Sequence, residues 1–169
     1  MYNTAQKLLA EFIGTFLFVF IGAGAICTDQ AMRAAGGSGM GLIGIALAHG
    51  LALAIVITAV GHISGGHINP AVTIGFWVTR KMSTLLSLGY WIAQLLGSVC
   101  AAYLLLHTLP SEATAYPAYI GATDLNNFTT MHGILLEGVM TFFLVFVVFA
   151  TAVDPKGAFN KIADRKSVV

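Results

Sequence analysis

In a chain that is 57% hydrophobic and only 9% charged, few residues can do chemistry. Two histidines, an Asn-Pro step and several glycines gather in GHISGGHINPAVTIG, residues 61–75, between two long apolar stretches. Two glutamates, Glu11 and Glu137, and a further histidine, His49, fall inside apolar runs. No His, Cys, Asp or Glu cluster has metal-ligand spacing and no nucleophile sits beside a base. The chain therefore reads as neither an enzyme nor a metalloprotein, and no cofactor is expected. What remains is hydrogen-bond chemistry: amide donors, carbonyl acceptors, and carboxylates able to hold them in place.

Residues 61–68 include three glycines, and Pro70 disfavours helix at the residue before it, so this stretch is expected to be non-helical. Pro70 and Ala71 suit the first turn of a new helix capped by Asn69. Residues 71–79 are apolar but too short to cross a bilayer. A glycine-rich loop followed by a short apolar helix, together 62–79, reads as a re-entrant half-helix. Irregular backbone at that depth must be buried in protein or line a water-filled cavity. The carbonyls of Ser64, Gly65, Gly66 and His67 would then serve as pore acceptors, and Asn69 as either a pore donor or a plain N-cap. The half-helix would aim about half a positive charge at mid-membrane, which opposes cations and orients water.

The elements that must position these groups are membrane spans. Mean hydropathy is +0.86, and a soluble domain carries nearer a quarter charged residues. The net charge of +1 excludes nucleic acid as a partner. Four runs, at about 8–27, 41–61, 85–106 and 133–153, are long enough for a ~30 Å hydrocarbon core. The first has no cleavage pattern and reads as a retained span. Lys7, Arg80, Lys81, Lys156, Lys161, Arg165 and Lys166 fall on one side of this arrangement, and Arg33 alone on the other. Positive charge thus puts both termini and the loop in the cytoplasm. Residues 1–153 form one transmembrane domain in this reading, and 154–169 a cytoplasmic tail leading toward an absent fifth span.

Small residues crowd spans two and three, as close helix approach in lipid requires. Tyr90, Trp91 and Tyr103 read as interfacial anchors or as packing. Residues 108–130, with Pro110 and Pro117, read as an irregular external loop, and Asn127-Phe128-Thr129 matches a glycosylation acceptor. Cys27 and Cys100 read as small buried residues.

Span four restates span one. AEFIGTFLFVF at 10–20 aligns with LEGVMTFFLVF at 136–146, pairing Glu11, Thr15, Phe16, Val19 and Phe20 with Glu137, Thr141, Phe142, Val145 and Phe146. Three spans separate the copies, so the second starts from the opposite side of the membrane. That is an inverted repeat, common in channels and transporters. Its second copy is incomplete, since nothing after residue 153 restates the loop segment.

HINPAVT after a G-H-I-S-G loop, the two glutamates, and YWIAQLLGS at 90–98 closely resemble the aquaporin and glycerol-channel family across essentially the whole chain. The resemblance implies an all-α membrane protein, an incomplete right-handed helical bundle of four transmembrane helices plus one re-entrant half-helix. It implies a passive channel for water and small neutral solutes, with membrane lipid around it and a homotetramer at full length. The chain is expected to be a truncated copy in the cell membrane, without the second Asn-Pro-Ala of the family. The alternatives are a non-conducting membrane fragment and a coupled small-solute transporter using Glu11 or Glu137. In the family such carboxylates brace the loop; Glu137 is expected to take the amides around residues 65–67, leaving Glu11 less satisfied. His49, in span two, falls where the family places a constriction residue, and histidine there resembles the plant vacuolar-membrane branch. It reads equally as a helix-to-helix hydrogen bond.

Overall fold

The computed structural model describes residues 2–125 and 128–157, so Asn127 of the acceptor pattern and residues 158–169 of the tail lie outside the described residues. Every regular element among the described residues is helical. In order they are α1 (Thr4–Ala34), α2 (Gly41–Ser64), α3 (Pro70–Val78), α4 (Thr84–Thr108), the single turn α5 (Ser111–Thr114), a 3₁₀ turn (Tyr119–Gly121) and α6 (Thr130–Val148), which runs into a π-helical turn, Phe149–Val153. The four expected spans are present as Thr4–Ala34, Gly41–Ser64, Thr84–Thr108 and Thr130–Val153. The chain divides into two units, Met1–Thr123 and Asp124–Val169.

In the first unit, α1 begins four residues before the apolar run does because Asn3 and Gln6 form a capping box. The Asn3 side chain accepts from the Gln6 amide at 2.9 Å, and the Gln6 side chain accepts from the Asn3 amide at 2.9 Å. At 31 residues the helix is about 46 Å long, so its polar ends project beyond a ~30 Å core. At its far end Asp29 holds the next element. Its carboxylate accepts from Arg33 Nε at 2.8 Å and from the Gly41 amide, the first of α2, at 2.8 Å.

The core lies where α1 meets α2 and α4. Lipid is as apolar as leucine, so these helices gain little from hydrophobicity and must rely on close packing and hydrogen bonds. Glycines allow the approach. A Cβ on Gly14 would lie 3.1 Å from Ile68 Cγ1, 3.2 Å from Val56 Cγ1 and 3.3 Å from Val60 Cγ2. On α4, Tyr90, Ala93, Gln94, Gly97, Ala101 and Leu105 are buried and recur at helical spacing, forming one stripe. A Cβ on Gly97 would meet Phe12 O of α1 at 2.5 Å.

Three sequence expectations change. Residues 61–64 do not leave the helix; α2 continues through Ser64 and stops only at Gly65, whose left-handed φ of 93° caps it with a bond from its amide to Gly61 O at 2.9 Å. One glycine among these four residues costs a helix only about 1 kcal/mol, so Gly61 alone does not end it. Residues 108–123 are not simply irregular: Ala113 and Ala118 are buried, and a Cβ on Gly121 would lie 2.7 Å from that of Ala23 on α1. The choice left open for Tyr90 and Trp91 between anchors and packing closes toward internal contacts, since Tyr90 OH donates to Ser64 O at 2.6 Å and Trp91 Nε1 to Pro70 O at 3.3 Å. The second unit contains α6, capped by Thr129, whose hydroxyl accepts from the His132 amide at 3.3 Å.

The α1–α4 approach yields a test. Gly97→Ala must push backbone against backbone, and we expect a loss of roughly 1–3 kcal/mol in unfolding stability in detergent. Gly50→Ala meets nothing within 4 Å and should be no less stable than the parent, with a gain of up to about 1 kcal/mol. Equal stability of the two variants would contradict the packing described.

Candidate functional site

The site is built on the five residues between α2 and α3. Gly65 and Gly66 take φ of 93° and 63°, the left-handed region open to glycine. A Cβ on Gly66 would sit 3.2 Å from Gly61 Cα, so the loop folds back tightly on the end of α2. Ile68 has φ of 55°, where a β-branched residue is strained by about 1–3 kcal/mol. Asn69 returns to extended backbone, caps α3 by accepting the Ala71 amide at 2.8 Å, and is followed by Pro70 in the first turn. Because a backbone amide must meet an acceptor, Oδ1 is the capping atom and Nδ2 carries the remaining donors. No described residue accepts from Nδ2.

A strained loop needs an opposing hold, and Glu11 of α1 supplies it. Fully buried, its Oε1 accepts from Ser64 Oγ at 2.7 Å and the His67 amide at 2.9 Å. Its Oε2 accepts from the Ile68 amide at 2.7 Å and Gln94 Nε2 at 2.8 Å. A carboxylate removed from water is costly, and four donors on two oxygens are what make this one tolerable. The Ser64 hydroxyl also accepts from the Gly66 amide at 3.1 Å. Thr15, one turn along α1, donates to Ile68 O at 3.4 Å, and the Ile68 side chain packs with Ala10, Val56 and Val60.

A second layer braces the first. Gln94 Nε2 also reaches Thr73 Oγ1 at 3.1 Å, and His67 Nδ1 lies 3.0 Å from the same hydroxyl. The His67 ring, buried, lies on Phe76 at 4.2 Å and edge-on to Tyr90 at 5.1 Å. Gln94 Oε1 is buried with no partner among the described residues.

The sequence-derived residues sort as follows. Asn69, Pro70 and Ala71 form the capped start of α3. Gly65, Gly66 and His67 keep carbonyls to which no described residue donates outside the regular helices. Ser64 differs from its neighbours: it is the last residue of α2, and its carbonyl already accepts from Tyr90 OH. The loop amides expected to bond Glu137 have acceptors within the first unit. Glu11 occupies the amides of His67 and Ile68, and it is fully satisfied rather than the less satisfied of the two. Glu137 lies on α6 and is exposed. His49 bonds its own helix, with Nδ1 2.9 Å from Ile45 O, rather than a polar group on a neighbouring one. Among the described residues no group of three His, Cys, Asp or Glu could hold a metal.

Gln94, Tyr90 and Thr15 were missed as functional residues. A signal existed for the first two. Tyr90 and Gln94 stand four apart in an apolar helix, so their polar ends share a face and require polar partners.

Glu11→Gln tests the hold. A glutamine offers one acceptor and would turn an amide donor toward Ile68 N–H or Gln94 Nε2. We expect a loss of roughly 3 kcal/mol and faster hydrogen exchange at the His67 and Ile68 amides. Glu137→Gln should leave those two amides as protected as in the parent. Unchanged exchange in Glu11→Gln would remove Glu11 from this role.

Residues 1–164 match the family model described as major intrinsic protein. Aquaporin TIP1-2 of Zea mays is 45% identical over 156 residues, covering 91% of this chain and 59% of its own length. Aquaporin TIP2-1 of Arabidopsis thaliana is 43% identical over 94% of the chain and 62% of itself. The probable aquaporin TIP-type RB7-18C of Nicotiana tabacum is 43% identical over 95% of the chain and 63% of itself. The chain thus spans about three-fifths of the length of these curated relatives. With its four apolar helices it is an integral membrane protein, and it belongs to the major intrinsic protein family.

Proposed function

We propose that this chain provides one half of a passive channel for water and small uncharged solutes. The observation that carries this reading is the pairing of three successive carbonyls, Gly65, Gly66 and His67, with the unused amide donors of Asn69 at the start of α3. Water can donate to the carbonyls and accept from Asn69 Nδ2. A cation gains from the carbonyls but meets the positive end of α3, which favours neutral cargo. The aquaporin names of the relatives support the same reading. For coupled transport Glu11 is a poor proton relay, since it already engages four donors.

The repeat assigns Glu137 the same task toward a matching loop of the second pore half. Both termini and the 65–69 loop lie on the cytoplasmic side in this proposal, by the seven-to-one bias of Lys and Arg. Residues 1–153 act as one transmembrane domain, and the complete pore assembles as a homotetramer. The cell membrane is its proposed location; recovery from an internal membrane on fractionation would replace that part of the reading.

The sequence holds one Asn-Pro-Ala, so these 169 residues alone supply one half-helix. Two copies would complement each other only in opposite orientations, which the charge bias opposes. Vesicles containing only this polypeptide are expected to show no rapid, low-activation-energy water flux in stopped-flow swelling. A chimera completed with the C-terminal part of Aquaporin TIP1-2 should conduct, and Asn69→Asp should abolish that flux. A folded but inert chimera would overturn the channel reading. Flux through the unextended chain that is lost in Asn69→Asp would overturn the half-pore reading.

A further inference from the structure

We infer that Gly22 of α1 is the positioning residue for His49, and that together with Ile45 O it fixes the ring in the tautomer with hydrogen on Nδ1. The inference rests on the reading, drawn from the family resemblance, that His49 stands at the constriction of the solute path, and it adds what sets the placement of that residue.

Two contacts hold the ring. His49 Nδ1 lies 2.9 Å from Ile45 O, one turn earlier on α2. A carbonyl oxygen has no proton to give, so Nδ1 must carry the hydrogen. In a neutral imidazole the other nitrogen then has a lone pair and no proton. The second contact is with α1. A Cβ built on Gly22 would lie 2.6 Å from both Cδ2 and Nε2 of His49 and 3.2 Å from Cε1. The far edge of the ring thus occupies the space that any side chain at position 22 would need. Phe18, one turn earlier on α1, meets the ring edge-on at 6.0 Å and limits its movement on that flank.

A methyl group at position 22 collides with the movable end of a side chain, not with backbone. The ring yields by rotating, and the Nδ1 bond to Ile45 O breaks as it does. Released from that carbonyl, the imidazole is free to carry its hydrogen on Nε2 instead, and the ring no longer stands where the parent holds it. Gly22 therefore acts on selectivity through His49, without touching solute.

The test uses the full chain with ¹⁵N-labelled histidine, in detergent or bilayers. In the parent, His49 Nδ1 should resonate as protonated and Nε2 as unprotonated. Gly22→Ala should lose that pattern, and Gly50→Ala, which adds a methyl into open space beside His49, should keep it. Thermal unfolding supplies a second arm. Gly22→Ala should lower the midpoint, and the drop should vanish in a His49→Ala background, where there is no ring to displace. If Gly22→Ala alone does not fold, folding of the double variant supports the inference and its failure overturns it. A parent His49 protonated at Nε2, or an equal drop with and without the imidazole, also overturns it. Solute selectivity of the completed chimera with His49→Ala is read separately. An unchanged selectivity there removes His49 from the path while leaving the positioning by Gly22 intact.

Discussion

Everything at the centre of this molecule depends on one carboxylate accepting the backbone of a loop that cannot hold itself. Residues 65–68 turn through left-handed conformations at two glycines and at Ile68, and beyond Gly65 no helix ladder satisfies their amides. In lipid, water is not available to do so. Glu11 answers both demands. It fixes the His67 and Ile68 amides, and because a carboxylate accepts through two oxygens it can also bind Ser64 and Gln94. The donors make the buried carboxylate tolerable, and the carboxylate makes the strained loop tolerable. Neither would be stable without the other.

The rest of the first unit can be read as what this mutual dependence requires. Glu11 must approach the loop and Gln94 must approach Glu11, so α1 needs small residues facing both. Gly14 lets Val56, Val60 and Ile68 close over one side, and Gly97 brings α4 against the α1 backbone on the other. Tyr90 holds Ser64 O, which fixes the end of α2, and Trp91 holds Pro70 O, which fixes the start of α3. The loop is therefore tied at both ends and at its middle. Its remaining acceptors are left over because they are the ones this arrangement does not use.

Much of this was legible in the sequence for definite physical reasons. Spans are set by the thickness of the hydrocarbon core, so their existence and approximate limits follow from hydropathy. Their ends do not, because they depend on local caps: Asn3 with Gln6 extends α1, and Gly65 rather than Gly61 ends α2. The start of α3 was readable to the residue, since Asn-Pro restricts backbone and supplies a cap at once. Which glutamate holds the loop was not. The repeat makes Glu11 and Glu137 equivalent as letters, and composition carries no register between helices. Only the approach permitted by Gly14 and Gly97 selects Glu11. Nor was the partner of Ser64 O legible, for a related reason: it accepts from a tyrosine 26 positions away.

His49 shows how far the same reasoning extends beyond the loop. Its residue type and place in α2 suggested a polar group in an apolar passage, with two readings that the sequence left even. The structure shows Nδ1 committed to Ile45 O and the ring laid on Gly22. An imidazole with one nitrogen occupied by its own helix is not available to bridge to another helix through that atom. Glu11 and His49 are thus handled alike: backbone groups decide what each polar side chain can offer, and a glycine on α1 decides where it can stand. In a membrane, where an unsatisfied polar group has no solvent to turn to, placing a glycine is as much a statement about hydrogen bonding as placing a glutamate.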